Sequence, residues 1–499
     1  MSDQVHVSFT RRLARRLHKW FITPILIVIA VLLTLVLVQA FASRSMPDLE
    51  SWHQRVPDGE FTKRDLKPEY DLAQYLQNEQ WLFDQLPGYM LEPDDLKGHS
   101  SLCRYVSGGS QNPARQPINW NRTVEMKPEE PKGGILLLHG LSDSPYSLRS
   151  QAEFFFNRNF YVLVMRMPGH GTVPSGLLNV SWKDWSAAVK VGTRSVLANI
   201  DDSMPFFIGG FSNGGALAVN HSLDVILEGT ERVPDRLFLF SPAIGITAFA
   251  RIARWDALYG FIPYFEKSKW LDLEPEFDPY KYNSFPKNAG TQSWGLAHAI
   301  QSKLSVLQNQ GSLDKLPHLL AFQSVVDATV VAPDLVRVLF DRVQRPGSEL
   351  VYFDINHASY LDGFLSTTAP LEIDALMQRT GLKYAITRVT NFDTKSLAMV
   401  ARTKPSQASS FHDQPLDLQW PKQVFSLAHV SIPFPPDDPL YGSTPPDTSD
   451  PLAFGMPIGQ LSPLGERHVL TIPASQFIRI RHNPFHAYMM QRIEEAIEE

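Results

Sequence analysis

Cysteine is almost absent from this chain, which has 499 residues and one cysteine, Cys103. A single cysteine excludes an intrachain disulfide, and it excludes a metal cluster held by several thiolates. The neighbours of Cys103 are Leu102 and Arg104, which form no catalytic motif with it. We therefore expect a buried or idle thiol rather than a nucleophile at this position.

An excess of positive charge is also missing. The chain has 46 Lys and Arg residues against 52 Asp and Glu residues, which gives a net charge of −6. This balance gives no electrostatic argument for a nucleic-acid partner. With 43% hydrophobic and 20% charged residues the composition is that of a globular protein. The length suits several domains, or one large α/β domain with insertions.

One stretch, Trp20 to Ser43, contains no charged residue. At the helical rise its 24 residues span roughly 36 Å, which exceeds the ~30 Å hydrocarbon core of a bilayer. Five basic residues lie between positions 11 and 19, against one acid at Asp3. By the positive-inside rule, this pattern predicts a transmembrane signal anchor over 21–43 with a cytoplasmic N-terminus. The rest of the chain is then expected outside the cytoplasm, in the periplasm if the source is bacterial.

A second interpretation of the same stretch is a secretory signal that is removed. Ala40-Phe41-Ala42 fits the small-residue pattern of a cleavage site. The apolar run is longer than the core of a usual signal peptide, which favours the uncleaved anchor.

Residues Phe206 to Leu217 combine an apolar run, a tight turn and a run typical of a helix. The turn, Gly210-Phe211-Ser212-Asn213-Gly214, fits the pattern G-x-S-x-G. A serine on so sharp a turn needs almost no side chain two residues before and after it, and Gly210 and Gly214 meet that need. Its hydroxyl is then presented at the N-terminus of a helix, where negative charge is stabilised. The pattern favours Ser212 as a nucleophile over a plain structural turn.

Apolar runs and helical patterns alternate from residue 133 onward. Strands are predicted at 134–138, 161–165, 206–209, 236–240, 319–322 and 350–353, with a helix over about 181–200. This order is typical of an α/β protein with a mostly parallel sheet flanked by helices. Weaker strand patterns follow at 384–389, 397–401 and 424–428, and a helix closes the chain over 483–499.

The alternation stops between Pro242 and about Leu316. Aromatic residues are dense in this stretch, and such density is more often core packing than pocket lining. However, the insertion follows the strand after the Ser212 helix, which suits a cap over the sheet edge. We expect a cap over 244–316 that covers an apolar substrate site, with plain core packing as the alternative. The aromatics in this stretch are Trp255, Tyr259, Phe261, Tyr264, Phe265, Trp270, Phe277, Tyr280, Tyr282, Phe285 and Trp294.

Five short motifs carry a family signal. They are Leu136-Leu-Leu-His139-Gly140-Leu141, Arg166-Met-Pro-Gly-His170-Gly171, Trp182-Lys-Asp-Trp185, the turn at Ser212, and Ser324-Val-Val-Asp327-Ala-Thr-Val330. Together they resemble the α/β-hydrolase superfamily, in its branch of monoacylglycerol lipases and microbial carboxylesterases. The resemblance covers about 133–357, under half of the chain.

This resemblance implies Ser212 as the nucleophile and an oxyanion hole formed by the backbone N–H groups of Leu141 and Asn213. Two fixed backbone donors stabilise the oxyanion of an acyl-transfer intermediate, each by about 3 kcal/mol. We expect His139 and His170 to hold their turns rather than to bind a ligand.

An acid and a base must complete such a site. Asp327 follows the predicted strand 319–322 and comes after Ser212 in the chain, which fits the order nucleophile, acid, histidine. We interpret Asp327 as the acid that orients the base. The alternative is that Asp327 caps the helix expected near Ala332.

Two histidines are candidates for the base. His357 follows the predicted strand 350–353 at the offset that the simplest members of the superfamily would give, although it could also belong to a helix cap. His429 ends the run 424–428 and enters a proline-rich loop, which would fix the position of a general base. The residues favour His429 and leave His357 open.

These features predict a membrane-anchored serine hydrolase that cleaves carboxylic esters through an acyl-enzyme on Ser212. The expected partners are an apolar ester and the membrane, and neither a metal nor an organic cofactor is required. Thioesters and peptides are alternative substrates, because the same triad serves all three. An inactive hydrolase-fold binding module is the alternative from another class.

The predicted divisions follow from these features. They are a cytoplasmic basic segment (1–20), an anchor (21–43), an extracytoplasmic leader (44–115), the hydrolase core (116–243 and 317–365), a cap (244–316), an insertion with a proline-rich loop (366–482) and a C-terminal helix (483–499).

Overall fold

A computed structural model describes residues 22–31, 34, 46–96, 98–245, 263–358, 364, 368–445, 447, 449–463, 472 and 474–498. No helix within these ranges is both long and apolar enough to cross a membrane. Segment 1–20 lies outside the described residues, and so does most of the predicted anchor over 21–43, of which 22–31 and 34 are described.

Ten strands form the main sheet of the described chain. They are β1 (Val124–Met126), β2 (Gly133–Leu138), β3 (Phe160–Met165), β4 (Phe206–Phe211), β5 (Arg236–Phe240), β8 (His318–Ser324), β9 (Glu349–Phe353), β10 (Ala385–Asn391), β11 (Ala398–Lys404) and β12 (His412–Gln419). Two short strands, β6 (Trp270–Asp272) and β7 (Phe285–Pro286), pair separately.

The strand order in the main sheet is β1-β3-β2-β4-β5-β8-β9-β10-β11-β12. The seven strands from β3 to β10 in that order pair in parallel. β1 at one edge and β11 and β12 at the other pair antiparallel. Leu138 lies opposite Gly210, and Phe211 lies opposite Phe240. The carboxyl ends of β2, β4 and β5 therefore meet at one edge, which is where ligands bind in open parallel sheets.

Helices cover both faces of this sheet. They are α1 (Ser51–Gln54), α2 (Leu72–Asp84), α3 (Arg149–Phe156), α4 (Trp182–Ala198), α5 (Asn213–Glu228), α6 (Lys287–Asn309), α7 (Ala332–Asp334), α8 (Asp341–Val343), α9 (Thr368–Gln378), α10 (Ala474–Ile478) and α11 (His486–Glu498), and a π-helical turn, Leu335–Phe340, joins α7 to α8.

Alternate residues of the central strands enter different layers of the core. Leu136 of β2 belongs to a buried cluster with residues of α4, α5 and α6, whereas Leu137 belongs to a second cluster with residues of α3 and α11. This alternation follows from the period of two along a strand, and it explains why strands buried on both faces have continuous apolar sequences.

The segment before β1 packs on this body. The Tyr75 hydroxyl of α2 donates to the carbonyl of Arg166 at 2.7 Å. The guanidinium of Arg166 is 1% exposed and pairs with Glu60 at 2.8 Å and with Glu79 at 3.1 Å. Residues well before the hydrolase motifs thus neutralise a buried cation inside those motifs.

The predicted strands up to residue 353 are confirmed, each within two residues at its ends. The helix predicted over 181–200 is observed as α4, with Ser181 as its N-cap in a capping box with Asp184. The weaker strands at 384–389 and 397–401 are confirmed as β10 and β11. The C-terminal helix begins at His486 rather than at 483.

The predicted strand Val424–Ala428 is wrong, because this segment forms no strand. The backbone carbonyls of Val424 and Phe425 instead accept hydrogen bonds from the side chain and backbone of Asn356. β12 was not predicted, because its sequence is polar and includes Pro415. It is the edge strand of the sheet, a position that tolerates proline and polar residues.

The predicted cap range, 244–316, contains α6. Its residues Leu296, Ile300 and Leu304 are buried in the same cluster as α5 residues, so this part of the range packs on the core. Residues 246–262, with Trp255, Tyr259 and Phe261, lie outside the described residues.

Candidate active site

Ser212 occupies a strained turn between β4 and α5. Its φ is 52° and its ψ is −114°, a conformation that side chains rarely adopt. A Cβ on Gly214 would lie 1.9 Å from the carbonyl oxygen of Leu138, and one on Gly210 would lie 2.4 Å from the backbone of Gly214. Both positions therefore admit only glycine, for the reason that the sequence pattern indicated.

The structure brings Ser212, His429 and Asp327 together. His429 Nε2 lies 2.9 Å from Ser212 Oγ, and His429 Nδ1 lies 2.7 Å from Asp327 Oδ2. Both distances are within the range of hydrogen bonds. The side chain of His429 is 7% exposed, and the side chain of Asp327 is fully buried. A buried imidazole between a hydroxyl and a carboxylate can accept the hydroxyl proton at Nε2 while Nδ1–H donates to the carboxylate.

Asp327 is fixed by further donors. Its Oδ1 accepts from the backbone N–H groups of Thr329 at 2.8 Å and Val330 at 2.9 Å, and its Oδ2 also accepts from Gln323 at 2.8 Å. Burial raises the pKa of Asp327, but its interaction with His429 and these backbone hydrogen bonds outweigh burial, so the pKa is lowered below its usual value. The carboxylate stays charged and orients His429.

The alternative base, His357, has a different partner. Its Nε2 lies 2.9 Å from Asp354 Oδ2, and the same carboxylate oxygen accepts from Arg388 at 2.7 Å and from Thr390 at 2.8 Å. The structure therefore places His357 in a second cluster, around the buried Asp354, and places His429 at Ser212. Of the two candidate histidines, His429 is thus the neighbour of Ser212.

Leu141 and Asn213 line the same cavity as Ser212. Asn213 is the first residue of α5, and Leu141 lies in the turn after β2. No acceptor for either backbone N–H group occurs in the part of the chain that the structure describes. Both groups are thus available as hydrogen-bond donors beside the serine, as the resemblance implied.

Residues from the cap range hold the Leu141 turn. The backbone N–H of Tyr282 donates to the carbonyl of Ser142 at 2.9 Å, and Lys281 Nζ lies 2.5 Å from Asp143 Oδ1. No local sequence pattern predicts these contacts, because more than 130 positions separate the partners.

His139 and His170 occupy structural positions near the site. His139 Nε2 accepts from the backbone N–H of Met167 at 2.9 Å, and its Nδ1 lies 2.8 Å from the carbonyl oxygen of Gly140. Burial lowers the pKa of His139 to about 4. His170 Nδ1 lies 3.0 Å from the carbonyl oxygen of Pro168. Each ring bonds to loop backbone, as predicted for residues that hold turns.

Two adjoining cavities lie at the site, and one of them contains Ser212. The first, of about 320 Å³, contains Ser212 and His429, and we call it the nucleophile cavity. The second, of about 270 Å³, is lined by Asp272, Glu274, Asp278, Lys281, Arg479 and Arg481 among others, and we call it the polar cavity. A cavity of about 440 Å³ elsewhere, lined by residues such as Val336 and Leu376, contains none of the three site residues.

Few of the aromatics in the predicted cap line the nucleophile cavity. Phe285 and Trp294 do so, together with the apolar side chains of Leu271 and Ala297. Trp270 and Tyr280 are buried in packing, at 2% and 3% exposure. An apolar lining is present, but most of the described aromatics belong to the core, which was the alternative interpretation.

The comparisons with known proteins agree with this architecture. Residues 129–354 match the family model described as serine aminopeptidase, S33. A thermostable monoacylglycerol lipase of Bacillus sp. (strain H-257) is 31% identical over 223 residues, which cover 44% of this chain and 79% of the lipase.

Among solved structures, one from work on the metagenome-derived lipolytic enzymes LipS and LipT is similar, with 19% identity and a TM-score of 0.37 over 48% of this chain and 89% of that chain. A monoacylglycerol lipase of Paleococcus ferrophilus gives 14% identity and a TM-score of 0.35 over 46% and 88%. The relation to the Bacillus lipase, over most of that enzyme's length, shows the family. This chain belongs to the α/β-hydrolase family and is a serine hydrolase of the lipase and esterase type.

Proposed function

We propose that the enzyme hydrolyses carboxylic esters with an apolar acyl group through an acyl-enzyme on Ser212. The observation that carries this proposal is the pair of contacts at 2.9 Å and 2.7 Å that link Ser212, His429 and Asp327. The apolar lining from Trp294 and Phe285 supports an apolar acyl group.

In the first step, His429 Nε2 accepts the proton of Ser212 Oγ as the oxygen attacks the ester carbonyl. The N–H groups of Leu141 and Asn213 stabilise the oxyanion that forms. The C–O bond to the alcohol then breaks, and His429 returns its proton to the departing alcohol. A water molecule, deprotonated by the same nitrogen, attacks the acyl-enzyme and releases the carboxylic acid.

Acyl-enzyme trapping tests this mechanism. The full-length chain is mixed with 4-nitrophenyl hexanoate, quenched in acid within the first turnovers, digested and analysed by mass spectrometry. We expect a hexanoyl adduct on the peptide that contains Ser212, and Ser212→Ala should lower turnover on the order of 10⁴-fold or more. Equal turnover by Ser212→Ala, or an adduct on another residue alone, would contradict the proposal.

The substrate class is tested by three hexanoyl compounds that differ in the leaving group. We expect the oxygen ester to be cleaved with a higher kcat/KM than the matched thioester or peptide amide. A higher kcat/KM for the thioester or the amide would show that the enzyme is a thioesterase or a peptidase that uses the same triad.

We also propose that residues 21–43 anchor the enzyme in a membrane with its catalytic residues outside the cytoplasm. The support is the charge-free run that follows five basic residues. In membranes from expressing cells, the full-length chain should resist extraction by alkaline carbonate and should be digested by protease added from outside. Recovery of the intact chain in the soluble fraction would contradict the anchor.

A further inference from the structure

The polar cavity lies next to the base and the oxyanion turn. Val430, which follows His429, lines both cavities, and so does Ser142, which follows Leu141. In the proposed mechanism His429 donates a proton to the departing alcohol, so the alcohol must leave beside His429. The nucleophile cavity has the apolar lining that suits the acyl group. The polar cavity is therefore the place for the alcohol.

Several charges in the polar cavity are already satisfied. Lys281 pairs with Asp143 at 2.5 Å. Asp278 Oδ1 accepts from the Tyr441 hydroxyl at 2.6 Å and from the backbone N–H of Lys281 at 3.1 Å. Neither group needs a ligand to balance its charge.

Arg479 is different, because it lines both cavities and no partner for its guanidinium occurs among the described residues. Its neighbour Arg481 is also a cation, but the charge of Arg481 already interacts favourably with Asp278. Arg479 is therefore the cation of this wall that is left to attract an anion, and a guanidinium can bind two oxygens of a phosphate at once.

Glu274 on the same wall shares a proton with the neighbouring Asp272. Burial, together with the neighbouring Asp272, raises the pKa of Glu274 to about 8, so the carboxyl is largely protonated at neutral pH. Its Oε2 accepts from Gln476 at 2.6 Å, and its carboxyl is hydrogen-bonded to the side chain of Asp272. Glu274 and Asp272 therefore carry about one negative charge between them rather than two, which leaves the positive charge of Arg479 less opposed.

We propose that the polar cavity binds a phosphate group on the alcohol part of the substrate, with Arg479 as its main contact. The preferred substrates are then monoacyl esters of a phosphorylated polyol, such as an acyl glycerol phosphate. This inference rests on the proposed esterase function and adds the chemistry of the leaving alcohol.

A matched pair of substrates tests the inference. They are 1-hexanoyl-glycerol and 1-hexanoyl-glycerol 3-phosphate, whose short acyl chain keeps both below micelle formation, and hexanoate release by the full-length enzyme is measured at pH 7 in low salt. We expect the phosphate ester to have the higher kcat/KM. Arg479→Gln should reduce this preference roughly 10-fold, the loss expected for one charge-assisted contact at a partly open site.

Three comparisons identify the contact. Arg479→Lys keeps the charge but not the paired N–H groups, so it should restore part of the preference, and 0.5 M NaCl should weaken the preference in the wild-type enzyme. Arg402→Gln is the matched control, because Arg402 is a partly exposed arginine of β11 that pairs with Asp413. It should leave both rates within about twofold.

The inference is overturned if the wild-type enzyme cleaves the neutral ester as well as the phosphate ester, or if Arg479→Gln leaves their ratio unchanged. It is also overturned if Ser212 is acylated by 4-nitrophenyl hexanoate but neither glycerol ester is cleaved. Failure of that acylation is a separate result, which contradicts the proposed function itself.

Discussion

Replacement of Asp327 by asparagine should stop catalysis while leaving the fold almost unchanged. In the native protein Asp327 Oδ2 accepts from His429 Nδ1–H and from the Gln323 amide. If the asparagine oxygen keeps the hydrogen bonds from Thr329 and Val330, its NH₂ group takes the place of Oδ2 and faces the donors of His429 and Gln323. An NH₂ group can bond to His429 only if Nδ1 carries no proton, and the proton must then sit on Nε2.

That tautomer presents an N–H to Ser212 Oγ at the 2.9 Å contact, so His429 is no longer able to accept the serine proton. From this reversal we expect kcat for 4-nitrophenyl hexanoate to fall about 10⁴-fold, which corresponds to about 5.5 kcal/mol in the barrier. KM should change by less than about threefold. Steady-state kinetics on the Asp327→Asn enzyme, with circular dichroism to verify the fold, provide the measurement.

Asp354→Asn is the matched control, since the buried Asp354 forms a second aspartate–histidine pair, with His357. This change should lower the free energy of unfolding, because Arg388 loses its buried partner, but kcat should stay within about twofold. The reasoning is refuted if Asp327→Asn retains more than a tenth of the native kcat, or if Asp354→Asn loses as much activity as Asp327→Asn.

Three further changes test the surroundings of the site. Gly214→Ala, with its Cβ 1.9 Å from a backbone oxygen, should lower kcat by about 100-fold or more and the free energy of unfolding by about 1–3 kcal/mol. Gly290→Ala in α6 is its control, because the added Cβ meets one ring carbon at 3.7 Å. It should raise the free energy of unfolding by about 0.5–1 kcal/mol in urea. Glu79→Gln should lower the free energy of unfolding by about 3 kcal/mol, because it leaves the buried Arg166 guanidinium with one carboxylate fewer; a loss below about 0.5 kcal/mol would show that Glu79 does not neutralise it. His139 has a folded-state pKa of about 4 against about 6.5 in the unfolded chain, so its contribution to stability is complete above pH 6.5 and is lost by about 1.4 kcal/mol per pH unit as the pH falls toward 4. The free energy of unfolding of His139→Asn should therefore fall less between pH 6 and pH 5 than that of the wild-type protein. An unchanged fall would contradict the burial of His139 in its neutral form.

The turn at Ser212 and the parallel strands could be predicted because local chemistry determines them. Ser212 has a φ of 52°, and the positions two residues before and after it have no room for a Cβ. Few sequences can form such a turn, and the pattern G-x-S-x-G meets its requirements directly. Strands buried on both faces, such as β2 and β4, need continuous apolar runs, which the sequence displays. Asp327 could be placed for a related reason, because it follows one of these strands at the carboxyl edge of the sheet.

The identity of the histidine beside Ser212 could not be fixed in the same way. After β9 the chain adds β10, β11 and β12 before it returns with His429. The proline-rich loop after His429 favours this residue, but it does not determine which loop reaches the serine. The apolar run at 424–428 has the pattern of a strand because core packing and strand pairing favour similar side chains. Leu427 in this run is buried, at 1% exposure, although the segment forms no strand. Contacts between distant segments, such as Lys281 with Asp143, also leave no pattern in the sequence.

The central claim is that Ser212 is activated by His429, and its reaction with a fluorophosphonate measures this directly. The second-order rate constant for phosphonylation of Ser212 is determined for the full-length wild-type enzyme, for His429→Ala and for His357→Ala. We predict a fall on the order of 10³-fold or more for His429→Ala and a change within about threefold for His357→Ala. A wild-type rate in His429→Ala, or a comparable fall in His357→Ala alone, would contradict the account.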